Sequence, residues 1–324
     1  MLARWALRLI IAAGVLAAIA GAKWQMEERA RHVLAARFLS MAADTGLDTI
    51  LFTSPLDGDL CAAAIGTGSV SIVYHPQGGE EIGAPAADPL STICAFLLRN
   101  NQDSVFRELR FLDLRTSRVV GSVSFPAYME VLSESPAWSK DGRYVAIACK
   151  RRGSQAETLV VLVSAQRHQI VRVLTVPLAP EPRVSGVWWA SGQDVLLALD
   201  GRTIAVDAET GAVKRTYDFE VVACSPTGQV LLWRQGVHSA ASSISTPSRR
   251  LAHWPIPYFS AQWFPGGEFI LLYSGISMWG HPFHLEVYEV STGQSAPLVA
   301  FWHGPPPGGL SLTRSSWIDA VRSK

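Results

Sequence analysis

The chain has 324 residues, 48% of them hydrophobic and 17% charged, which excludes a disordered or fibrous protein and supplies a sizeable core. A formal net charge of +1 excludes a global basic field, so no nucleic-acid partner is expected. Four cysteines at 61, 94, 149 and 224 form no CxxC pair and sit inside apolar runs, where cysteine behaves as a small buried hydrophobe.

Leu9 to Ala22 is an uncharged apolar run of fourteen residues behind Arg4 and Arg8. At about 1.5 Å per residue it would span roughly 21 Å, short of a hydrocarbon core of about 30 Å. With Ala18-Ile-Ala20 or Ala20-Gly-Ala22 as a cleavage site it resembles a secretory signal. Counted from Trp5 to Trp24, with Arg8 snorkelling, it reads as a transmembrane helix with a tryptophan at each interface. Residues 24–43 hold no glycine or proline and place Met26, Ala30, Leu34, Phe38 and Met41 on one helical side. A helix running straight out of the apolar run favours an uncleaved anchor. The expected organisation is a membrane anchor or signal segment over 1–23, a helical stalk over 24–45 and one domain over 46–324. Lys23, Arg29, Arg31 and Arg37 outnumber Arg4 and Arg8, which by counting argues for a cytoplasmic body. An N-terminal signal-like segment usually exports the chain behind it, however. The expectation is a single-pass, membrane-anchored, extracytoplasmic body, with a secreted or periplasmic protein after cleavage as the alternative.

From there on, short apolar runs alternate with tight polar turns. Asp113-Leu-Arg-Thr-Ser117, Asp207-Ala-Glu-Thr-Gly211 and Glu289-Val-Ser-Thr-Gly293 are the clearest, with weaker copies starting at Tyr74, Ser164 and Ser243. Their starts are 39, 51, 43, 36 and 46 residues apart, and strands repeating at that length indicate a propeller. In the best unit Val184–Ala190 is an inner strand, Val195–Leu199 a second, Thr203–Val206 a third and Ala212–Tyr217 an outer fourth, with Asp200-Gly201 as a hairpin turn. A second turn recurs nearer each unit's start: Ser54-Pro-Leu-Asp-Gly58, Trp138-Ser-Lys-Asp-Gly142, Ser225-Pro-Thr-Gly228 and Trp263-Phe-Pro-Gly-Gly267. Proline presets such turns and Gly supplies the positive φ angle.

Pro136-Ala-Trp-Ser-Lys-Asp-Gly-Arg-Tyr-Val-Ala-Ile-Ala148 resembles the repeat of TolB-type and other WD40-like β-propellers, and the likeness extends over about residues 48–320. No Trp-Asp closes the units and no Gly-His opens them, so the chain departs from the standard WD40 pattern. The resemblance implies an all-β fold: a single β-propeller of six four-stranded blades, with seven as the alternative, preceded by the hydrophobic helix and stalk. Ser311–Asp319 resembles one more inner strand, either closing the ring on the first blade or left over from a seventh.

No Gly-x-Ser-x-Gly elbow, P-loop, dinucleotide fingerprint or His-Glu-x-x-His occurs, so no catalytic residue, metal or cofactor is assigned. His281-Pro-Phe-His284 with His303 reads as loop histidines beside a turn-forming proline rather than a metal site. Of the eleven tryptophans, Trp138, Trp188 or Trp189, Trp263 and Trp317 keep the register of the repeat and should pack between blades, whereas Trp233, Trp254, Trp279 and Trp302 do not. Met278, Trp279, His281, Phe283 and His284 lie in an insertion of the sixth unit and are the candidate partner-binding residues. Gly236–Arg250, rich in serine and alanine, reads as a flexible surface loop, and Gly304–Gly309 as a linker. The functional expectation is a non-catalytic, membrane-tethered module for protein interaction or assembly, with an unidentified protein partner. The alternatives are a hydrolase or lyase, or a small-ligand or sugar-binding protein, working at the mouth of the central channel.

Overall fold

The apolar runs become strands and the polar turns become hairpins in a computed structural model that describes residues 2–54, 57–90, 92–133, 135–153, 157–177, 184–190, 193–199, 201–225, 230–235, 238–243, 250–254, 260–264, 267–274, 283–301 and 311–313. A helix, α1 (Leu2–Thr45), comes first. Among the described residues the strands then form six antiparallel sheets. The first holds β1 (Thr49–Thr53), β2 (Leu60–Ala64) and β3 (Val70–Tyr74). The second holds β4 (Glu80–Ile82), β5 (Ala86–Ala87), β6 (Ile93–Asn100), β7 (Glu108–Asp113) and β8 (Arg118–Ser124). The third holds β9 (Met129–Val131), β10 (Ala137–Trp138), β11 (Tyr144–Arg151), β12 (Glu157–Ser164) and β13 (Gln169–Pro177). The fourth is β14 (Val184–Trp189), β15 (Asp194–Leu199), β16 (Arg202–Asp207) and β17 (Val213–Tyr217). The fifth is β18 (Glu220–Cys224), β19 (Val230–Gln235), β20 (His238–Ser243) and β21 (Arg250–Trp254). The sixth is β22 (Ser260–Trp263), β23 (Phe269–Ser274), β24 (Phe283–Glu289) and β25 (Gln294–Phe301). Finally β26 (Ser311–Thr313) returns to pair with β1 and becomes the innermost strand of the first sheet. This is an all-β propeller.

Middle strands such as β11 and β15 are buried on both faces, because each sheet is covered by a neighbour on either side, and so they read as unbroken apolar runs. Outer strands such as β17 are largely exposed. Every pairing between the third and fourth strands carries a register shift, which adds local twist at the rim. The residue that ends the turn there is left-handed: Gly211 at φ +77° and Gly293 at +71°, but also Ser117 at +53° and His168 at +49°. In the second and third sheets the innermost strand is broken in two, β4 and β5 both pairing with β6, and β9 and β10 both with β11.

Closure by β26 shifts the first unit by one strand. The turn at Ser54–Gly58 therefore joins the second and third positions of its sheet, not the first and second. The stretch Tyr74–Gly78 is not a hairpin but the link from β3 to the next sheet, and the true outer turn is Ile65–Ser69, with Gly68 at φ +69°. A second correction concerns Gly236–Arg250. His238–Ser243 is the strand β20, paired on both sides, because the backbones of β19 and β21 supply its hydrogen bonds whatever its Ser/Ala composition.

The end of α1 packs into the propeller. Leu34, Phe38 and Ala42 are buried in one core with Ile50, Ala63 and Ile65 of the first sheet and its turn, and with Phe264, Phe269, Leu271, Leu285, Val287 and Ala296 of the sixth. Phe38 meets Phe264 edge-on at 5.3 Å and Phe269 at 5.6 Å. Met26, expected on the packed side of the helix, is instead 71% exposed: the buried stripe covers only the last turns. Among the described residues no helix is long and apolar enough to cross a membrane. The side chains of residues 2–13 and 16, which include much of the apolar run, lie outside the described ones.

Candidate functional site

Of the expected partner-binding residues, Met278, Trp279 and His281 lie outside the described residues. Phe283 and His284 open β24, their backbones in register with Phe301 and with Ser274 and Ala300. Ser274 and His284 mark one end of the sixth sheet, and residues 275–282 lie outside the described ones. The opposite end, where Phe269 pairs with Glu289, lies five residues or about 17 Å away and is where α1 docks. Trp302, Trp317, His303 and Gly304–Gly309 are outside the described residues, as are the side chains of Trp233 and Trp254.

The same geometry holds in the first sheet. Its helix-facing end carries Ile65 and Gly66, an added Cβ on Gly66 standing 3.8 Å from Leu39. At its other end the turn before β2 and the residue after β3 come together. The Asp59 side chain is only 3% exposed, and its Oδ1 lies 2.5 Å from Nδ1 of His75, whose ring is 75% exposed. With the carboxylate as acceptor, the Nδ1–H of His75 donates to it. The turn is fixed from within: the Ser54 amide donates to the Asp59 carbonyl at 2.7 Å, and the Gly58 amide to the Ser54 carbonyl at 2.9 Å. Asp57, in the same turn, has its carboxyl held below the usual range, chiefly by the Ser54 hydroxyl, against some loss of hydration, with His75 adding to the shift. Beneath, Tyr74 accepts from Nη1 of Arg110 at 2.7 Å, and Arg110 is paired with Glu80 at 2.8 Å.

A buried carboxylate that orients an exposed imidazole is the arrangement of a proton-accepting pair. Sequence motifs do not reveal it, because its members are sixteen residues apart and belong to no named pattern. The signal is the register of the β2–β3 hairpin: Leu60 opposite Tyr74 puts Asp59 beside His75. No cysteine joins it as a nucleophile. All four are free; burial pushes the Cys61 thiol up to about 12, with Asp57 and Asp59 adding to the effect, and raises Cys224 to about 12 and Cys94 and Cys149 further. Among the described residues no three His, Cys, Asp or Glu side chains gather as a metal ion would require.

The in-register tryptophans do join neighbouring sheets. Nε1 of Trp138 donates to the Ala86 carbonyl at 2.8 Å, and Nε1 of Trp189 to the Ala137 carbonyl at 2.9 Å, each reaching back to the innermost strand of the preceding sheet. Trp263 occupies the matching place in the sixth sheet, with its indole N–H buried and unpaired among the described residues.

No family model matches the chain, and no curated protein matches it. Solved structures do. A protein of unknown function from Bacteroides caccae is similar at 10% identity and a TM-score of 0.61, over 82% of this chain and 98% of that one. A periplasmic gluconolactonase of Pseudomonas aeruginosa is similar at 15% identity and 0.51, over 82% and 98%. A chain of the mitotic checkpoint complex is similar at 14% identity and 0.54, over 83% and 78%. At such identities the likeness shows the propeller fold alone, and no family match stands behind the narrower TolB-type character.

Proposed function

We propose that the chain is a membrane-tethered propeller of TolB-like character, exposed on the extracytoplasmic side, whose face remote from the docked helix binds a protein partner. The observation that carries the tether is the state of α1 ahead of its docked turns. Val15 is 53%, Ile19 60% and Trp24 63% exposed, on the part of α1 that precedes the docked turns. Apolar helical surface of that extent needs a nonaqueous partner, and flanking tryptophans and cations suit a bilayer. Docking at one end of the sheets leaves the Asp59–His75 pair and the Ser274–His284 end of the sixth sheet on the side away from the helix. Alkaline carbonate extraction tests the tether: the protein should stay in the membrane pellet with its N-terminus intact. Release into the supernatant as a chain beginning at residue 21 or 23 would overturn it in favour of a cleaved signal. Cross-linking tests the face: replacing Met278, Trp279 and Phe283 by Ala should remove a partner, and an unchanged partner set would sink the assignment.

A second reading, a hydrolytic enzyme, is supported by the Asp59–His75 pair, which could take a proton from water or a hydroxyl. Here the likeness to a gluconolactonase lends a scaffold and no chemistry. His75→Gln should abolish any ester hydrolysis found in the pure protein while leaving its melting temperature unchanged. Hydrolysis that survives the substitution would remove this pair from consideration.

A further inference from the structure

We propose that the last three turns of α1 are a latch for the ring: docked, they hold the sixth sheet to the first, and undocked they let the propeller open at that one seam. The inference rests on the docked helix and stands whether or not the rest of α1 enters a membrane.

The seam is where the chain's two ends meet. After α1, only residues 46–48 precede β1, while β26 arrives from the C-terminal side to complete the same sheet. Four of the other junctions carry polar ties made by the strands and their links. The Ala87 amide donates to Ser311 Oγ at 2.7 Å between the first and second sheets. The indoles of Trp138 and Trp189 tie the second to the third and the third to the fourth. Thr203 Oγ1 donates to the Phe219 carbonyl at 2.9 Å and accepts from the Val221 amide at 2.8 Å, tying the fourth to the fifth. Between the sixth and first sheets α1 takes part in the junction. Its Leu34, Phe38 and Ala42 fill the space between the two, and its Arg37 makes the polar contact.

That contact is built as a clasp. The Arg37 guanidinium pairs with Glu289 and lies 5.1 Å from the centre of the Phe269 ring. Its side chain is 54% exposed while that of Glu289 is 10% exposed, so the arginine closes the pocket from outside. Thr292 Oγ1 donates to the same carboxylate at 2.8 Å and keeps it aimed. An open groove of about 540 Å³, lined by Arg37, Gly267, Glu268, Glu289, Val290 and Ser291, adjoins the pair. A pull on the N-terminal part of α1, or a cut within its docked turns, would therefore be felt first as loss of this clasp and then as separation of the two sheets.

Hydrogen exchange on the full chain, read by mass spectrometry, tests the latch. Arg37→Glu, which turns the pair into a repulsion, should speed exchange about tenfold in β1, β2, β24 and β25 and leave β11, β12, β15 and β16 unchanged. The double variant Arg37→Glu/Glu289→Arg should restore slow exchange. Leu34→Ala, which thins the wedge without touching the ion pair and is mild enough to keep the fold, should give the same pattern. Equal acceleration in all sheets, or no change in either single variant, would overturn the proposal.

Discussion

The junction between the second and third sheets and the junction between the sixth and first solve one packing problem in two ways. In the former, strands meet strands: Leu97, Phe111 and Phe125 of the second sheet and the link after it pack with Met129, Ile147 and Val161 of the third. The outer turn of the third sheet adds His168, whose ring lies 5.0 Å from Phe111 and directly over Gly121. In the latter, the first sheet brings Ile50 and Ile65 together with smaller residues, and α1 packs in beside them. Ala63 is its contribution from β2, within the run Leu60-Cys-Ala-Ala-Ala64, and Gly66 follows in the turn. Ala63 and Gly66 leave room beside the two isoleucines. Phe38 and Leu34 fill it. The repeat packs against itself where its strands carry enough volume, and at the seam an element outside the repeat supplies what is missing.

Cutting back the filler should have the largest effect. Phe38 is wholly buried between two aromatic rings, so Phe38→Ala should cost about 3–5 kcal/mol in urea unfolding. A chain starting at residue 31 should match the full chain, and one starting at residue 48 should lose more than Phe38→Ala does. Equal stability of the two truncations would erase the contrast between the junctions.

The strand-on-strand junction should fail differently. A Cβ on Gly121 would stand 2.3 Å from the His168 ring, so Gly121→Ala should cost about 1–3 kcal/mol by overpacking. Combined with His168→Ala, which vacates the space, the two costs should fall well short of their sum; additive costs would mean that the ring and the glycine do not compete.

Acid separates the junctions again. The Glu289 carboxyl is held below the ordinary range: its burial pushes the other way, but Thr292 and Arg37 outweigh it. A depressed folded-state pKa gives stability that is fully present above the unfolded value of about 4.3 and is lost as pH falls through the lower folded value. Below about pH 4 the wild-type chain should therefore lose stability more steeply than Glu289→Gln, which cannot titrate. Parallel curves would show that the clasp contributes nothing.

How much of the fold is legible in the sequence divides along the same line. The strands of the fourth sheet can be read almost residue by residue, since hydrophobic runs, an Asp-Gly hairpin and a closing Gly211 all demand the same backbone. The first sheet reads one strand out of step, because the residues that complete it, Ser311–Thr313, lie at the far end of the chain and no local signal reports a pairing over that distance. His238–Ser243 is hidden for a related reason, its strand form coming from flanking backbones and not from its side chains. The docked turns of α1 carry a visible apolar stripe in Leu34 and Phe38, but a stripe shows only that a face is covered and not by what. Asp59 and His75 require a hairpin register before they can be seen as neighbours.

Within the repeat itself the smallest effect is expected at the outer turn of the second sheet. Where the fourth and sixth sheets place Gly211 and Gly293, the second places Ser117 in the same left-handed conformation, φ +53°. A side chain there costs about 1 kcal/mol relative to glycine. The Ser117 hydroxyl is also buried without a hydrogen-bond partner among the described residues, a further penalty of about 1 kcal/mol or more. Against these, glycine frees the unfolded chain and gives back about 0.5–1 kcal/mol. Ser117→Gly should thus stabilise the protein by about 1 kcal/mol and raise Tm by about 1–2 °C. The reverse change, Gly211→Ser, should lower it, since a Cβ there meets Leu174 at 3.3 Å in addition to the backbone cost. If Ser117→Gly lowers Tm instead, the hydroxyl is holding the turn through a bond of its own, and the outer turns of the sheets do not share one backbone requirement.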